Sequence, residues 1–402
     1  MQRQECDILI IGGGLIGGNL GLALARLPLK IIMVEQEPLA TKPTAAHDER
    51  GIALSYTSKK ILDSIGIWQE VEKTAEPITK IHVSEQGSFA QTRLAAAELK
   101  LDAFGFVCSG IQLGRIINDS LTRQKNIQRL MPSTLQDIDF TNKTVRVLKD
   151  DAEIKITAKI IVGADGANSK VRELAAIQHK VKEYTHTAIT CNLSFTNKHK
   201  GLAFERFTAN GPLALLPLTD NYHALIWTMP EAQAQSLLEL SANEFKARFY
   251  QEFSLRLGKI SSMSKLKTYP LRMVTSDALV KANVVLIGNS AQTLHPVAGQ
   301  GLNLGLRDVS ALHERLYTAL NNRTKLEEAL ADYAASRAKD RSGIIQLSDG
   351  LVSIFTNKTF LAKSIRRAGL LGFSCLPPMR KIFSSWALGR TPKAARLERG
   401  LN

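Results

Sequence analysis

Cysteine is scarce in this chain. Only four occur in 402 residues, Cys6, Cys108, Cys191 and Cys375, far apart and never in C-x-x-C spacing. That usage suggests neither a disulfide framework nor a zinc site, so no metal is expected and the compartment reads as a reducing cytosol. Long apolar runs are also missing, since no stretch reaches the roughly 20 residues a helix needs to span a bilayer. There is no internal repeat or low-complexity tract, so the chain should fold throughout. A helix-turn-helix, zinc-finger or RNA-binding signature is absent as well. The excess of 52 Lys and Arg over 37 Asp and Glu therefore points away from nucleic acid and toward dinucleotide phosphates or acidic lipid headgroups.

What is present has the makings of an α/β enzyme. A hydrophobic share of 44% with 22% charged residues is ordinary for a globular protein. A chain of this length exceeds the reach of one core, which rarely grows beyond about 250–300 residues, and two domains are expected. The stretch from Cys6 to Ala25 imitates a secretory signal, ending in Ala23-Leu24-Ala25. Acidic Glu5 and Asp7 stand where positive charge belongs, and glycines interrupt the run, so a cytoplasmic protein is the expectation.

Those glycines have a function. Residues 7–11 read as a buried strand and 15–27 as a Leu/Ala-rich helix, with Gly12-Gly13-Gly14-Leu15-Ile16-Gly17 between them. Gly12 permits the tight turn, Gly14 lets backbone approach a pyrophosphate, and Gly17 allows helix to pack on strand. The helix start offers free N–H groups and the positive end of its dipole. A second strand, 31–34, ends in Glu35, where a carboxylate can accept both ribose hydroxyls and would repel a 2′-phosphate. At this point NAD and FAD remain equally open.

Two further motifs narrow the choice. Residues 159–162 form a short apolar strand running into Gly163-Ala164-Asp165-Gly166-Ala167-Asn168-Ser169, and 284–287 form another leading to Gly288-Asn289-Ser290-Ala291. His295-Pro296 and Gly299-Gln300-Gly301-Leu302-Asn303 follow, and that string is hard to explain as scaffolding. In this order and separation the three motifs resemble the flavoprotein aromatic hydroxylases of the para-hydroxybenzoate hydroxylase fold, over nearly the whole chain. Residues 48–55, Asp-Glu-Arg-Gly-Ile-Ala-Leu-Ser, are similar to a segment of the ubiquinone-biosynthesis hydroxylases. Asn289 through Pro296 resemble the variant of those acting on 2-polyprenyl-6-methoxyphenol, with Gly-Asn where most relatives read Gly-Asp.

The resemblance implies FAD, with NADH or NADPH as co-substrate. Gly12, Gly14, Leu15, Ile16, Gly17 and Glu35 would hold its ADP half, Asp165 and Gly166 would lie near the pyrophosphate, and Gly288 and Asn289 near the ribityl chain. An Asn carbonyl accepts the same hydrogen bond as the usual carboxylate, so the departure lowers charge but keeps geometry. Gly299, Gln300, Gly301, Leu302 and Asn303 would open a helix aimed at the flavin ring, with Pro296 beside it. Arg50 would approach the flavin face or the phenol pocket, or else bridge surface carboxylates. His295 is either an orienting imidazole or a proton-transfer group. Ser169 and Arg172 would fix the Asp-Gly turn or meet the nicotinamide, and Asp308 reads as a helix charge partner of Arg307.

The fold implied is a Rossmann-like FAD-binding domain (1–76, 100–175 and 270–342), an inserted antiparallel β-sheet substrate domain (77–99 and 176–269) and a C-terminal helical segment (343–402). Strands are expected at 78–84, 92–94, 202–207, 212–217 and 222–229, with Phe204, Phe207, Leu215, Trp227 and Met229 as plausible lining. The tail alternates apolar residues such as Leu351, Phe355, Phe360 and Leu371 with Lys358, Lys363, Arg366 and Arg380. That pattern suits a membrane surface, a partner in a ubiquinone-biosynthesis assembly, or a helical pair packed on the flavin domain. The expected reaction is hydroxylation of a polyprenylphenol by O₂ through a flavin C4a-hydroperoxide, giving the benzoquinol. A reductase or oxidase on the same fold and a non-catalytic FAD-binding assembly member are the rivals. The tryptophan-rich halogenase signature is absent, since Trp68, Trp227 and Trp386 stand far apart.

Overall fold

A computed structural model describes residues 2–37, 50–87, 91–294, 300–356, 388 and 394–401. His295, Pro296 and Gly299 lie outside the described residues, as does most of the basic tail.

The first of three sheets is built around β1 (Gln2–Ile11), which pairs in parallel with β2 (Ile31–Val34) and β11 (Ala152–Gly163). β8 (Ile127–Leu130) extends it past β2, while β19 (Val284–Leu286) and β18 (Val280–Lys281) extend it past β11. A hairpin of β9 (Thr134–Asp139) and β10 (Thr144–Lys149) hangs on β11. Residues 8–11, 31–34 and 160–162 are buried without alternation, the pattern of parallel strands covered on both faces. The covering helices are α1 (Leu15–Leu24), α2 (Tyr56–Ile65), α3 (Trp68–Glu72), α4 (Gly110–Thr122) and α8 (Gln300–Asn322), with α5 (Lys170–Leu174) a single turn after the Asp-Gly motif.

The second sheet has the order β20 (Gln292–Thr293), β17 (Lys267–Ser276), β12 (His179–Phe195), β15 (Tyr222–Pro230), β14 (Gly211–Pro217), β13 (Leu202–Thr208), β5 (Lys80–Glu85) and β6 (Gln91–Ala95), with β16 (Ile260–Met263) on β12. All its pairings are antiparallel except β13 with β5. A small third sheet of β3 (Gly51–Ser55), β7 (Gly105–Ser109) and β4 (Glu76–Ile78) lies between the other two. The strand expected at 78–84 is therefore divided. Ile78 ends β4, and the chain turns at Thr79, where the N–H groups of Thr79 and Lys80 both donate to the Gly201 carbonyl at 2.9 and 3.2 Å.

Two short helices, α6 (Glu231–Leu238) and α7 (Ala242–Phe253), cover one face of the second sheet. Phe204, Leu215, Trp227 and Met229 point to that face and form a core with Phe245, Phe249 and Phe253. Their expected place in the pocket lining is corrected. Alternation decides it, because Phe204 and Phe207, three residues apart on one strand, cannot share a face. Phe207 stands half-buried on the face away from α6 and α7, in register with Pro212.

The long helix α9 (Leu326–Thr356) packs along α8 and reaches β14. Near the end of the chain, the Leu388 carbonyl accepts from the Thr57 N–H (3.1 Å) and hydroxyl (2.8 Å), and the Ser64 hydroxyl donates to the Leu397 carbonyl at 2.8 Å. The Arg396 guanidinium lies 4.1 Å over the Tyr317 ring. Residues 394–401 thus dock on α2 and α8. No helix among the described residues is long and apolar enough to cross a membrane.

Candidate active site

The glycine turn meets the end of β2 through one carboxylate. Glu35 accepts the Gly13 N–H at 2.6 Å on one oxygen and the Glu37 N–H at 2.9 Å on the other, and keeps lone pairs for a ribose hydroxyl. Gly12 has φ +101°, and a Cβ there would stand 2.4 Å from the Ala164 carbonyl oxygen. A Cβ on Gly17 would stand 1.8 Å from the Gly12 oxygen, so helix and turn are in contact through bare backbone. Gly14 differs: nothing lies within 4 Å of its would-be Cβ, and it caps α1 with no side-chain hydrogen bond. Two glycines are consumed by packing, and one faces open space at a helix start. That is the cradle a pyrophosphate needs.

The second and third motifs converge on the same place. In the Asp-Gly turn, one Asp165 carboxylate oxygen accepts the Val171 N–H at 3.0 Å, while the other is buried with no partner. Gly166, at φ +86°, leaves its side clear. Arg172 is buried and donates to the Ser290 carbonyl and the Ala167 carbonyl, both at 2.8 Å. It is a turn-fixing residue. The Ser290 hydroxyl in turn donates to the Gly163 carbonyl at 2.5 Å, so the Gly-Asn turn is clasped to the Asp-Gly turn. Asn289 stands exposed between buried Gly288 and Ser290. Ile16 fills the space between Gly288 and Gly305, where an added Cβ would meet it at 3.0 and 2.6 Å. An orphaned carboxylate oxygen, an open glycine and an outward Asn on adjoining turns fit a dinucleotide.

Asp308 has a role the sequence reading missed. It accepts the Gly288 N–H at 2.9 Å, the Gln292 amide at 2.8 Å and the Arg337 Nε at 2.7 Å, and is 1% exposed. Arg307, its expected partner, pairs instead with Asp340 at 2.7 Å, and Asp340 also holds Arg337. Burial works against the charge of Arg337, but Asp308 and Asp340 outweigh it and hold its pKa above the ordinary value. Arg341 donates to Gln292 at 2.8 Å and to the Ser276 and Ala291 carbonyls at 2.7 and 3.0 Å. This buried network keys the Gly-Asn turn to α9 and to the end of β17. The run Arg337, Asp340, Arg341 was visible in the sequence, but its partners lie across the fold.

Asn303 sits in the first turn of α8, with Gln300, Gly301 and Leu302 before it. Its carbonyl accepts the Ser55 N–H at 2.8 Å and the Ser58 hydroxyl at 2.6 Å, and its amide donates to Ala53 at 3.0 Å. The side chain expected as a flavin contact clamps β3 and α2 to α8. Arg50 lies at the mouth between the small sheet and the large antiparallel one. Its guanidinium is 4.9 Å from the Tyr269 ring centroid, and it pairs with no carboxylate among the described residues. With Thr190, Asn192, Ile226 and Lys267 it lines a shallow, open cleft. His295, Pro296 and Gly299 belong to the stretch outside the described residues.

Comparison with known proteins agrees with this geometry. Residues 5–348 match the family model of the FAD binding domain. The chain is 32% identical to the ubiquinone hydroxylase UbiL of Rhodospirillum rubrum, over 99% of this chain and 94% of that one. It is 28% identical to the 3-demethoxyubiquinol 3-hydroxylase of Escherichia coli, over 97% and 100%. Among solved structures it superposes on PqsL of P. aeruginosa in complex with 2-aminobenzoylacetate, with a TM-score of 0.79 and 21% identity, covering 92% of this chain and all of the other. From nucleotide turns, sheet topology and a match over most of its length, the chain belongs to the FAD binding domain family.

Proposed function

We propose that the protein is an FAD-dependent monooxygenase that hydroxylates a polyprenylphenol ring in ubiquinone biosynthesis, converting 2-polyprenyl-6-methoxyphenol to the benzoquinol with NADH or NADPH and O₂. The observation that carries it is the dinucleotide cradle set against a half-buried sheet floor, in a chain whose near-full-length relatives include proteins named ubiquinone hydroxylase UbiL and 3-demethoxyubiquinol 3-hydroxylase. FAD, when bound, supplies the passage of two electrons from nicotinamide to oxygen. The chain supplies the rest. Gly12, Gly14, Gly17, Glu35, Asp165, Gly166, Gly288 and Asn289 hold the nucleotide. The start of α8, residues 300–303, sets a positive dipole end where negative charge on the reduced ring is favoured. Arg50 and the sheet face would border the ring and limit water there, the condition under which activated oxygen is not lost as peroxide.

The segments 1–76, 100–175 and 270–342 form the FAD-binding unit in this reading, and 77–99 with 176–269 the substrate unit. The basic stretch within 343–402 brings a cytoplasmic protein to a membrane surface or an assembly where isoprenoid substrates reside. The test is anaerobic reduction of the purified flavoprotein by NADPH and by NADH, with a short-chain polyprenylphenol, followed by labelled O₂. One labelled oxygen atom in the phenol is expected. Conversion without oxygen would indicate a reductase, peroxide alone an oxidase, and failure to retain FAD after reconstitution would overturn the reading.

A further inference from the structure

The register of the antiparallel sheet aligns Val83, Glu205, Ala214, Ile226 and Thr190 in one row across five strands, on the face away from α6 and α7. Glu205 interrupts an otherwise uncharged row until Lys267 of β17, four strands away. Ala214, Leu216, Ile226, Phe207 and Glu205 are half-buried, so this patch is a floor open on one side. Among the described residues Glu205 makes no hydrogen bond and no ion pair. Its neighbour Arg206 turns to the opposite face, donating to the Glu252 carbonyl and the Ser84 hydroxyl.

Position gives this carboxyl a meaning. Ile344 of α9 packs against Leu294 and Leu304 beside the start of α8, and α9 continues to β14. Ile226 of the same row lines the Arg50 cleft, and Glu205 stands two strands beyond it, about 10 Å along the sheet. The floor bearing Glu205 therefore flanks the space in front of α8, where the nucleotide motifs direct the ring.

We infer that Glu205 touches the hydroxyl of the phenol substrate and accepts its proton as the ring is oxygenated. This rests on the hydroxylase reading above. As the ring carbon gives an electron pair to the incoming oxygen atom, the phenol O–H bond breaks, its electrons form a carbonyl, and the proton goes to the Glu205 carboxylate. Loss of the proton on the oxygenated carbon then restores the ring, and return of a proton to the carbonyl gives the dihydric product. O₂ is the oxidant, nicotinamide the two-electron reductant, and water takes the second oxygen atom. Desolvation, with no opposing cation, pushes the carboxyl up to about 7, so an acceptor and its conjugate acid coexist near neutrality. The titratable groups on the same face are Glu85 opposite Phe207, Tyr222, His186 opposite Pro230, Lys267, and Tyr269 under Arg50.

The test uses holoenzyme with Glu205→Gln and Glu205→Asp, and a nitrophenol that is ionised in solution at pH 8. Two anions brought together must share a proton, so the wild type takes up close to one proton per bound nitrophenolate, read as buffer-dependent heat. Glu205→Gln takes up none while retaining its FAD. Hydroxylation by the wild type rises as pH increases through about 7. In Glu205→Gln it falls about 100-fold and loses that rise, and Glu205→Asp keeps it. The stabilisation due to a raised carboxyl is present below its ordinary value and lost as pH rises through about 7, so Glu205→Gln melts higher than wild type at pH 8 and alike at pH 4, which guards against misfolding. Unchanged proton uptake or an unchanged pH profile in Glu205→Gln overturns the inference. A wild type that takes up the proton yet hydroxylates no phenol overturns the proposed reaction and leaves Glu205 as the phenol's partner.

Discussion

Gly17→Ala yields a chain that melts several degrees lower and no longer retains FAD, whereas Gly14→Ala folds as the wild type does and fails only in cofactor retention. The two positions lie three residues apart in one motif, and the structure separates their reasons. At Gly17 a methyl group would sit 1.8 Å from the Gly12 oxygen and 3.2 Å from the Ala164 Cβ. The first obstacle is backbone, which cannot swing aside, so α1 must move off the sheet at a cost of about 2–4 kcal/mol. At Gly14 the backbone is extended, φ −68°, and a methyl group meets nothing. It would occupy only the room left for a phosphate, and a loss of affinity of at least about 100-fold, or 2.7 kcal/mol, is expected. Thermal melting of the apo forms and flavin content after reconstitution distinguish the cases. Equal destabilisation by both substitutions would contradict the assignment of Gly14 to the ligand.

Arg337→Leu has a comparable effect from a residue in a different motif. It leaves Asp308, 1% exposed, without its closest cation, and an uncompensated buried charge costs about 3–5 kcal/mol. Asp308 also fixes the Gly288 N–H and Gln292, so disturbance there reaches the Gly-Asn turn, and weakened FAD binding should accompany the lower melting temperature. Asp308→Asn combined with Arg337→Leu should recover part of the loss, with a coupling of about 2 kcal/mol in a double-mutant cycle of chemical denaturation. Strict additivity of the two substitutions would show that the pair does not act as a unit.

The difference in how these residues were found is instructive. The Gly12 to Gly17 turn was legible because strand, glycines and helix are contiguous and Gly17 packs on the Gly12 carbonyl within the motif, although Gly12 itself answers to Ala164 on a neighbouring strand end. The fold class and the antiparallel strands 202–230 were legible for the same reason, through short alternating runs between turn residues. Face assignment failed at Phe204 and Phe207 because residue type was weighed above parity along the strand. Asp308 was misread because a neighbour in sequence, Arg307, was taken as its partner, when a helix places consecutive residues about 100° apart and each found its own arginine or aspartate on α9. Asn303 lay in the expected place and also holds Ala53, Ser55 and Ser58, contacts some 250 residues distant that no local pattern encodes. Glu205 was passed over within a strand of apolar residues.

Arg341 joins three pieces of chain that belong to different layers: the end of β17, the Gly-Asn turn and, through Gln292, the Asp308 cluster. A strand of the antiparallel sheet and the glycine-bearing turns should therefore open together, as a single cooperative unit in the sense measured by amide exchange. Ligand that binds only the closed form slows that opening by the factor 1 + [L]/Kd. Saturation with FAD should then retard exchange in β17 as strongly as in the glycine turns themselves, so that the loading state of the cofactor is reported by a strand of the other sheet.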